Sequence, residues 1–118
     1  KGNLIHRPDE GVYLIDFDDC SVGPAVQDLW MLLPGTAKES IREIDSFIEG
    51  YQTFRDFDRR TLALIPSLTI MRLLHYASWC ALQTSDAGFR EHFPDWGTTQ
   101  YWNELIHGIQ QKIRDDNE

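Results

Sequence analysis

The chain has 118 residues, 42% of them hydrophobic, which is enough for one core of ordinary domain size. Its formal charge of −8 argues against a nucleic-acid backbone or an anionic membrane as the main partner. Two cysteines, Cys20 and Cys80, make no disulfide framework and no zinc cluster, no apolar run reaches membrane-spanning length, and no signal peptide opens the chain. The expected setting is the reducing cytoplasm.

The first predicted element is a β-hairpin. Leu4-Ile5-His6 and Val12-Tyr13-Leu14-Ile15 read as strands, and Arg7-Pro8-Asp9-Glu10-Gly11 supplies the turn between them. Pro8 presets a turn-compatible φ, and Gly11 can take the positive φ that closes the turn. Folding this ribbon back brings Asn3 and Asp16 to the same end. Val22-Gly23-Pro24 then breaks the extended run, and a short helix is expected from Pro24 or Ala25 to residue 33, where Pro34-Gly35 stops it.

A second helix is expected over residues 38–54, with Ile41, Ile44, Phe47, Ile48, Tyr51 and Phe54 spaced by three and four and Gly50 weakening it locally. A third begins near Arg59. Leu62, Leu64, Ile65, Leu68, Ile70, Met71, Leu73, Leu74, Tyr76, Ala77, Trp79 and Leu82 put apolar groups on nearly all its faces, which predicts a helix at the centre of a bundle. Pro66 is expected to kink or divide it. Residues 85–97 read as a loop rich in Asp, Gly and Pro, and residues 98–112 as a final helix before a fraying polar tail, 114–118. With no repeat, low-complexity tract or linker, the fold class is mainly α with a short N-terminal hairpin.

The chemistry concentrates at the mouth of the hairpin. Asp16 ends an apolar strand, so its carboxylate emerges at an edge. A hard cation such as magnesium takes oxygen ligands, usually one or two carboxylates with phosphate oxygens and water. Asn3 offers a neutral oxygen to the same ion. The bland alternative is that Asn3 caps a turn while Asp16, Asp18 and Asp19 form a solvated acidic knuckle; spacing alone leaves both readings open. His75 is expected as a hydrogen-bonded core histidine, and His6, His92 and His107 have no metal-ligand spacing. Trp79, Trp96, Tyr101 and Trp102 read as packing, Arg72 and Arg90 as partners of local carboxylates or of an acidic substrate, and Cys20 as small buried filler.

Lys1-Gly2-Asn3-Leu4-Ile5, followed by Leu14-Ile15-Asp16-Phe17-Asp18-Asp19, resembles the aminoglycoside/choline phosphotransferase-like kinases. The run Gly23-Pro24-Ala25-Val26-Gln27-Asp28-Leu29-Trp30-Met31-Leu32-Leu33 is similar to the bacterial stress-response serine/threonine protein kinases within that family. Met71-Arg72-Leu73-Leu74-His75-Tyr76-Ala77-Ser78-Trp79, Phe93-Pro94-Asp95-Trp96 and Tyr101-Trp102 agree with it. The resemblance implies the C-terminal part of a kinase-like C-lobe, with residues 1–19 as metal-binding hairpin and 24–118 as helical subdomain. It implies ATP as substrate and Mg2+ as cofactor. Asn3 and Asp16 become the metal ligands, Asp28 a brace of the catalytic loop through backbone hydrogen bonds, and Asp18 a second-metal or substrate contact. The family's catalytic Asp lies a few residues before the Asn, which places it and the N-lobe upstream of Lys1; the chain alone is then expected to be inactive. The acceptor implied is a protein Ser/Thr hydroxyl, with a small-molecule alcohol (aminoglycoside, choline or homoserine) as the alternative, and neither nucleic acid nor membrane as partner.

Three rival classes fare worse. A haloacid-dehalogenase reading would make Asp16 a nucleophile and Asp18 an acid/base, but the later lysines are only Lys38 and Lys112, no downstream acidic motif follows, and the strands of a parallel sheet are missing. An EF-hand loop counted from Asp16 puts Ser21 and Gln27 where Gly and a bidentate Glu are needed. A non-catalytic helical interaction domain is the remaining alternative.

Overall fold

The computed structural model describes residues 3–116, with side chains through Arg114. Their order is β1 (Leu4–Arg7), β2 (Gly11–Leu14), α1 (Val26–Trp30), α2 (Ile41–Gln52), a 3-10 segment (Arg59–Leu64), α3 (Ile65–Gln83), α4 (Phe89–His92) and α5 (Thr99–Asp116). They fall into two compact units, the chain passing from one to the other between Leu62 and Ala63.

In the first unit β1 and β2 form an antiparallel ribbon in the register Leu4↔Leu14, Ile5↔Tyr13, His6↔Val12 and Arg7↔Gly11. The turn follows from its residues: Gly11 takes φ +101°, and the Glu10 N–H donates to the Arg7 carbonyl at 3.1 Å. Glu10 also gathers the turn from its side chain, accepting from Arg7 Nη1 at 2.9 Å and from the Tyr13 hydroxyl at 3.1 Å. The Arg7 guanidinium lies 5.5 Å from the centre of the Tyr13 ring.

Helix α1 is shorter than the expected run to residue 33. Only one-turn bonds continue it, from Leu32 N–H to Leu29 O and from Leu33 N–H to Trp30 O, because Pro34 drives Leu33 out of the helical region. Helix α2 is likewise trimmed at both ends. Before it, Thr36 and Glu39 close a turn on each other: the Thr36 N–H and hydroxyl donate to Glu39 Oε2 at 2.9 and 2.8 Å, and the Glu39 N–H donates to Thr36 Oγ1 at 3.3 Å. These bonds hold the Glu39 carboxyl below its ordinary value, the backbone bond contributing most. At the far end the Thr53 hydroxyl takes the Gly50 carbonyl, which diverts the chain from further helix. Val26 and Leu29 of α1, Ile44 and Ile48 of α2, Ser40 and Phe57 are buried, and Tyr51 stacks on Phe47 and meets Phe57 edge-on. A cavity of about 380 Å³ opens among Leu29, Leu32, Leu33, Arg42, Glu43, Ser46 and Phe47.

In the second unit Pro66 produces division, not a kink. It stands in the first turn of α3, where its missing N–H would have had no partner, and the 3-10 segment precedes it. Helix α3 packs against α5. The expectation of a helix buried on all sides is not met. Of its residues only Ile65, Ala77 and Cys80 are buried, while Met71, Leu74 and Leu82 are 64%, 50% and 79% exposed. His75 is exposed as well, so it is not a core histidine. The reason is geometric: a single packed helix covers one stripe of its partner, and an apolar composition is not itself a neighbour.

Helix α4 interrupts what the sequence presents as a loop. Phe89 at its start is buried, with ring contacts to Phe93 (5.0 Å) and Trp96 (5.6 Å), so tertiary aromatic packing stabilises one helical turn between loop residues. The aromatic chain continues through Tyr101 and Trp102 in one direction and Tyr76 and Trp79 in the other, which agrees with the packing reading of the Trp and Tyr group. Desolvation, then the Cys80 thiol, pushes the Tyr76 hydroxyl up, and Tyr101 shifts the same way for the same causes. Thr98 opens α5: its hydroxyl accepts the Tyr101 N–H at 3.2 Å. The helix runs past the expected end at 112 into the segment read as a fraying tail, of which residues 117 and 118 lie outside the described residues. Cys80, not Cys20, is the buried thiol; Cys20 is exposed.

Candidate functional site

The ribbon ends where the sequence places its chemistry. Beyond the Leu4↔Leu14 pair, the Ile15 N–H donates to the Asn3 carbonyl at 3.1 Å and carries the pairing one step further. Asp16 then leaves the extended conformation with φ +66°, and it is the one non-glycine residue in the left-handed region among the described residues. Asp tolerates that region better than most residues because its short polar side chain can bond locally. The bond here crosses the ribbon: Asn3 Nδ2 donates to Asp16 Oδ2 at 3.3 Å. Strained backbone of this kind persists where the surroundings over-determine it, and it concentrates at functional positions.

Past Asp16 the chain turns at once. The Cys20 N–H donates to the Phe17 carbonyl at 3.2 Å, and Asp18 and Asp19 lie exposed in the turn. No Lys, Arg or His pairs with Asp16, Asp18 or Asp19 among the described residues. Nor does any group of three His, Cys, Asp or Glu there converge as a closed metal cage. The arrangement is an open edge offering one carboxylate and one amide, with two further carboxylates nearby in sequence.

The structure thus brings Asn3 and Asp16 together and leaves the other two named residues apart from them. Asp28 sits exposed on α1, its N–H bonded to the Ala25 carbonyl and its carboxylate without a hydrogen bond among the described residues. No hydrogen bond joins Asp18 to Asn3 among the described residues. Arg72 and Arg90 are exposed and form no ion pair among the described residues. The cavity between α1 and α2 is lined by none of these acidic residues, so it is a feature separate from the Asn3–Asp16 edge. Sequence reasoning missed two things: the left-handed backbone at Asp16 and the Arg7–Glu10–Tyr13 clasp on the turn. The available signals were an Asp directly after a strand and opposite charges three residues apart.

Comparison with known proteins identifies the family of the chain. Residues 1–65 match the profile of the Phosphotransferase enzyme family. The protein named stress response kinase A of Escherichia coli strain K12 is 40% identical over 101 residues, which is 86% of this chain and 30% of that relative. The counterpart of the same name from Shigella flexneri is 38% identical over the same length. A Salmonella typhimurium protein named serine/threonine protein kinase RdoA is also 38% identical over 101 residues. The chain therefore spans about 30% of the length of the curated relatives it matches.

Proposed function

Because the chain belongs to the phosphotransferase enzyme family, we propose that it forms the magnesium-holding edge of an ATP-dependent kinase, in the C-terminal part of a kinase-like C-lobe. The observation that carries this reading is the 3.3 Å approach of the Asn3 amide to the Asp16 carboxylate at the end of the ribbon. The donor chemistry fits magnesium. A carboxylate oxygen and an amide oxygen are both hard ligands, and two adjacent corners of a magnesium octahedron lie about 3.0 Å apart for bonds near 2.1 Å. An open edge with one carboxylate and one amide fits as well, since magnesium in nucleotide sites completes its shell with phosphate oxygens and water. When bound, the ion would neutralise charge on the phosphates of ATP.

Within that reading each residue has one task. Asp16 supplies the negative oxygen, and its left-handed backbone aims it across the ribbon mouth. Asn3 supplies a neutral oxygen, so the ion keeps positive charge for the phosphates. Asp28, whose carboxylate makes no hydrogen bond among the described residues, would brace the catalytic loop of the full-length parent by accepting backbone hydrogen bonds. Asp18 contacts a second metal or the substrate. The acceptor is a protein Ser or Thr hydroxyl; support comes from the relative named as a serine/threonine protein kinase.

The test uses the full-length parent with ATP, magnesium and a generic Ser/Thr protein acceptor, beside Asp16→Ala and a panel of aminoglycosides and choline. Phosphate is expected on protein, with the variant reduced about 100-fold or more, the usual cost of removing one electrostatic stabiliser of the reacting group. Transfer to a small alcohol alone would overturn the protein acceptor. Undiminished transfer by Asp16→Ala would remove Asp16 from the site.

A further inference from the structure

Helix α3 is apolar on two sides and covered on one. Its buried residues, Ile65, Ala77 and Cys80, mark the packed side, and α5 is the element it packs against. Met71, Leu74, Ser78 and Leu82 follow at intervals of three, four and four, so at about 100° per residue they share the opposite side. Met71, Leu74 and Leu82 are all half exposed or more. The Ser78 hydroxyl donates to the Leu74 carbonyl at 2.9 Å, so it brings no unmet donor to this face. The stripe runs about 16 Å along the axis, roughly three turns, and Ser78 and the neighbouring Ala81 are small enough for a second helix to approach closely.

We propose that the Met71–Leu74–Leu82 face of α3 seats an amphipathic helix of the full-length parent that lies outside residues 1–118, with an acidic residue of that helix beside Arg72. Charge sets the second half of this. Helix α3 carries no acidic residue, and Arg72 and His75, both exposed, flank the stripe on one side. Arg72 forms no ion pair among the described residues. The complement is a helix with an apolar stripe of its own and Asp or Glu on the flank that meets Arg72. Length sets its source. The chain spans about 30% of the relatives it matches, so most of the polypeptide in such proteins lies beyond the matched stretch. A second copy is the poorer complement: it brings the same charge of −8, and pairing α3 with α3 would supply no carboxylate to Arg72.

The experiment uses the full-length parent. Hydrogen peroxide converts the Met71 thioether to the sulfoxide, and peptide mass spectrometry reads the rate in buffer and in urea. Covered by a helix, Met71 is expected to react at least about tenfold more slowly in the folded protein. Photo-methionine then replaces methionine in a mixture of light and heavy-nitrogen copies, so that a cross-link from position 71 reports its partner segment and the copy it belongs to. The expected cross-link joins residue 71 to a segment outside residues 1–118 of the same copy. Oxidation at the unfolded rate would overturn the proposal. So would a cross-link confined to residues 1–118, one that joins two copies, or none at all. Reversing the charge with Arg72→Glu is expected to lower the yield severalfold, because like charges would then face each other, and an unchanged yield would remove the acidic flank.

Discussion

At the scale of single residues, Asp16 combines a chemical and a conformational demand, and substitution can separate them. Ala at this position loses the carboxylate and keeps the steric cost of a positive φ. Gly loses the carboxylate and removes that cost. Asp16→Gly is therefore expected to be more stable than Asp16→Ala by roughly 1 kcal/mol in urea denaturation, while both lose kinase activity in the parent to the same degree. Equal stability of the two variants would show that the left-handed backbone imposes no strain. The pairing of Asn3 with Asp16 was legible from the sequence because turn chemistry at Pro8 and Gly11 sets where a short ribbon folds back. The dihedral at Asp16 was not, because it depends on what the carboxylate bonds to after the strand has ended.

At the scale of elements, the entry to α2 carries a pH-dependent contribution. The Thr36 N–H, and then the Thr36 hydroxyl, favour ionised Glu39, so its folded value lies below the ordinary value near 4.5. A depressed carboxyl stabilises the fold above the unfolded value and loses that contribution as pH falls through the folded one. The stability advantage of the natural chain over Glu39→Gln should thus be present at pH 7 and vanish in acid, as read from thermal denaturation across pH. A difference that stays constant with pH would place the effect elsewhere. Four of the five helices, α1, α2, α3 and α5, were legible in outline because periodicity and Pro or Gly stops act over a few residues. Their ends were less so. Pro34 shortened α1 through its steric demand on Leu33, and α4 formed because Phe89 found an aromatic pocket that no local pattern announces.

At the scale of the whole molecule, the chain carries a formal charge of −8 and spans about 30% of the length of its relatives. On the proposed magnesium reading, Asn3 and Asp16 offer two ligand side chains at its edge, and phosphate oxygens complete the octahedron. On that reading the chain by itself should bind magnesium only weakly, whereas chelation of magnesium should abolish activity in the parent. Calorimetric titration of the isolated chain checks the first point, and micromolar binding would overturn the two-ligand picture. What the amino-acid sequence determined by itself was the hairpin, the order of the longer helices, the resemblance to a kinase family and the meeting of Asn3 with Asp16. Each rests on short-range stereochemistry or on motif residues close together in the chain. What only the tertiary structure decided was burial and orientation: α3, apolar on nearly every face, buries one stripe against α5, His75 stands exposed, and the amide of Asn3 turns its nitrogen toward Asp16. Burial and hydrogen bonding depend on which distant groups come to lie beside a residue, and a local pattern cannot specify its own neighbours.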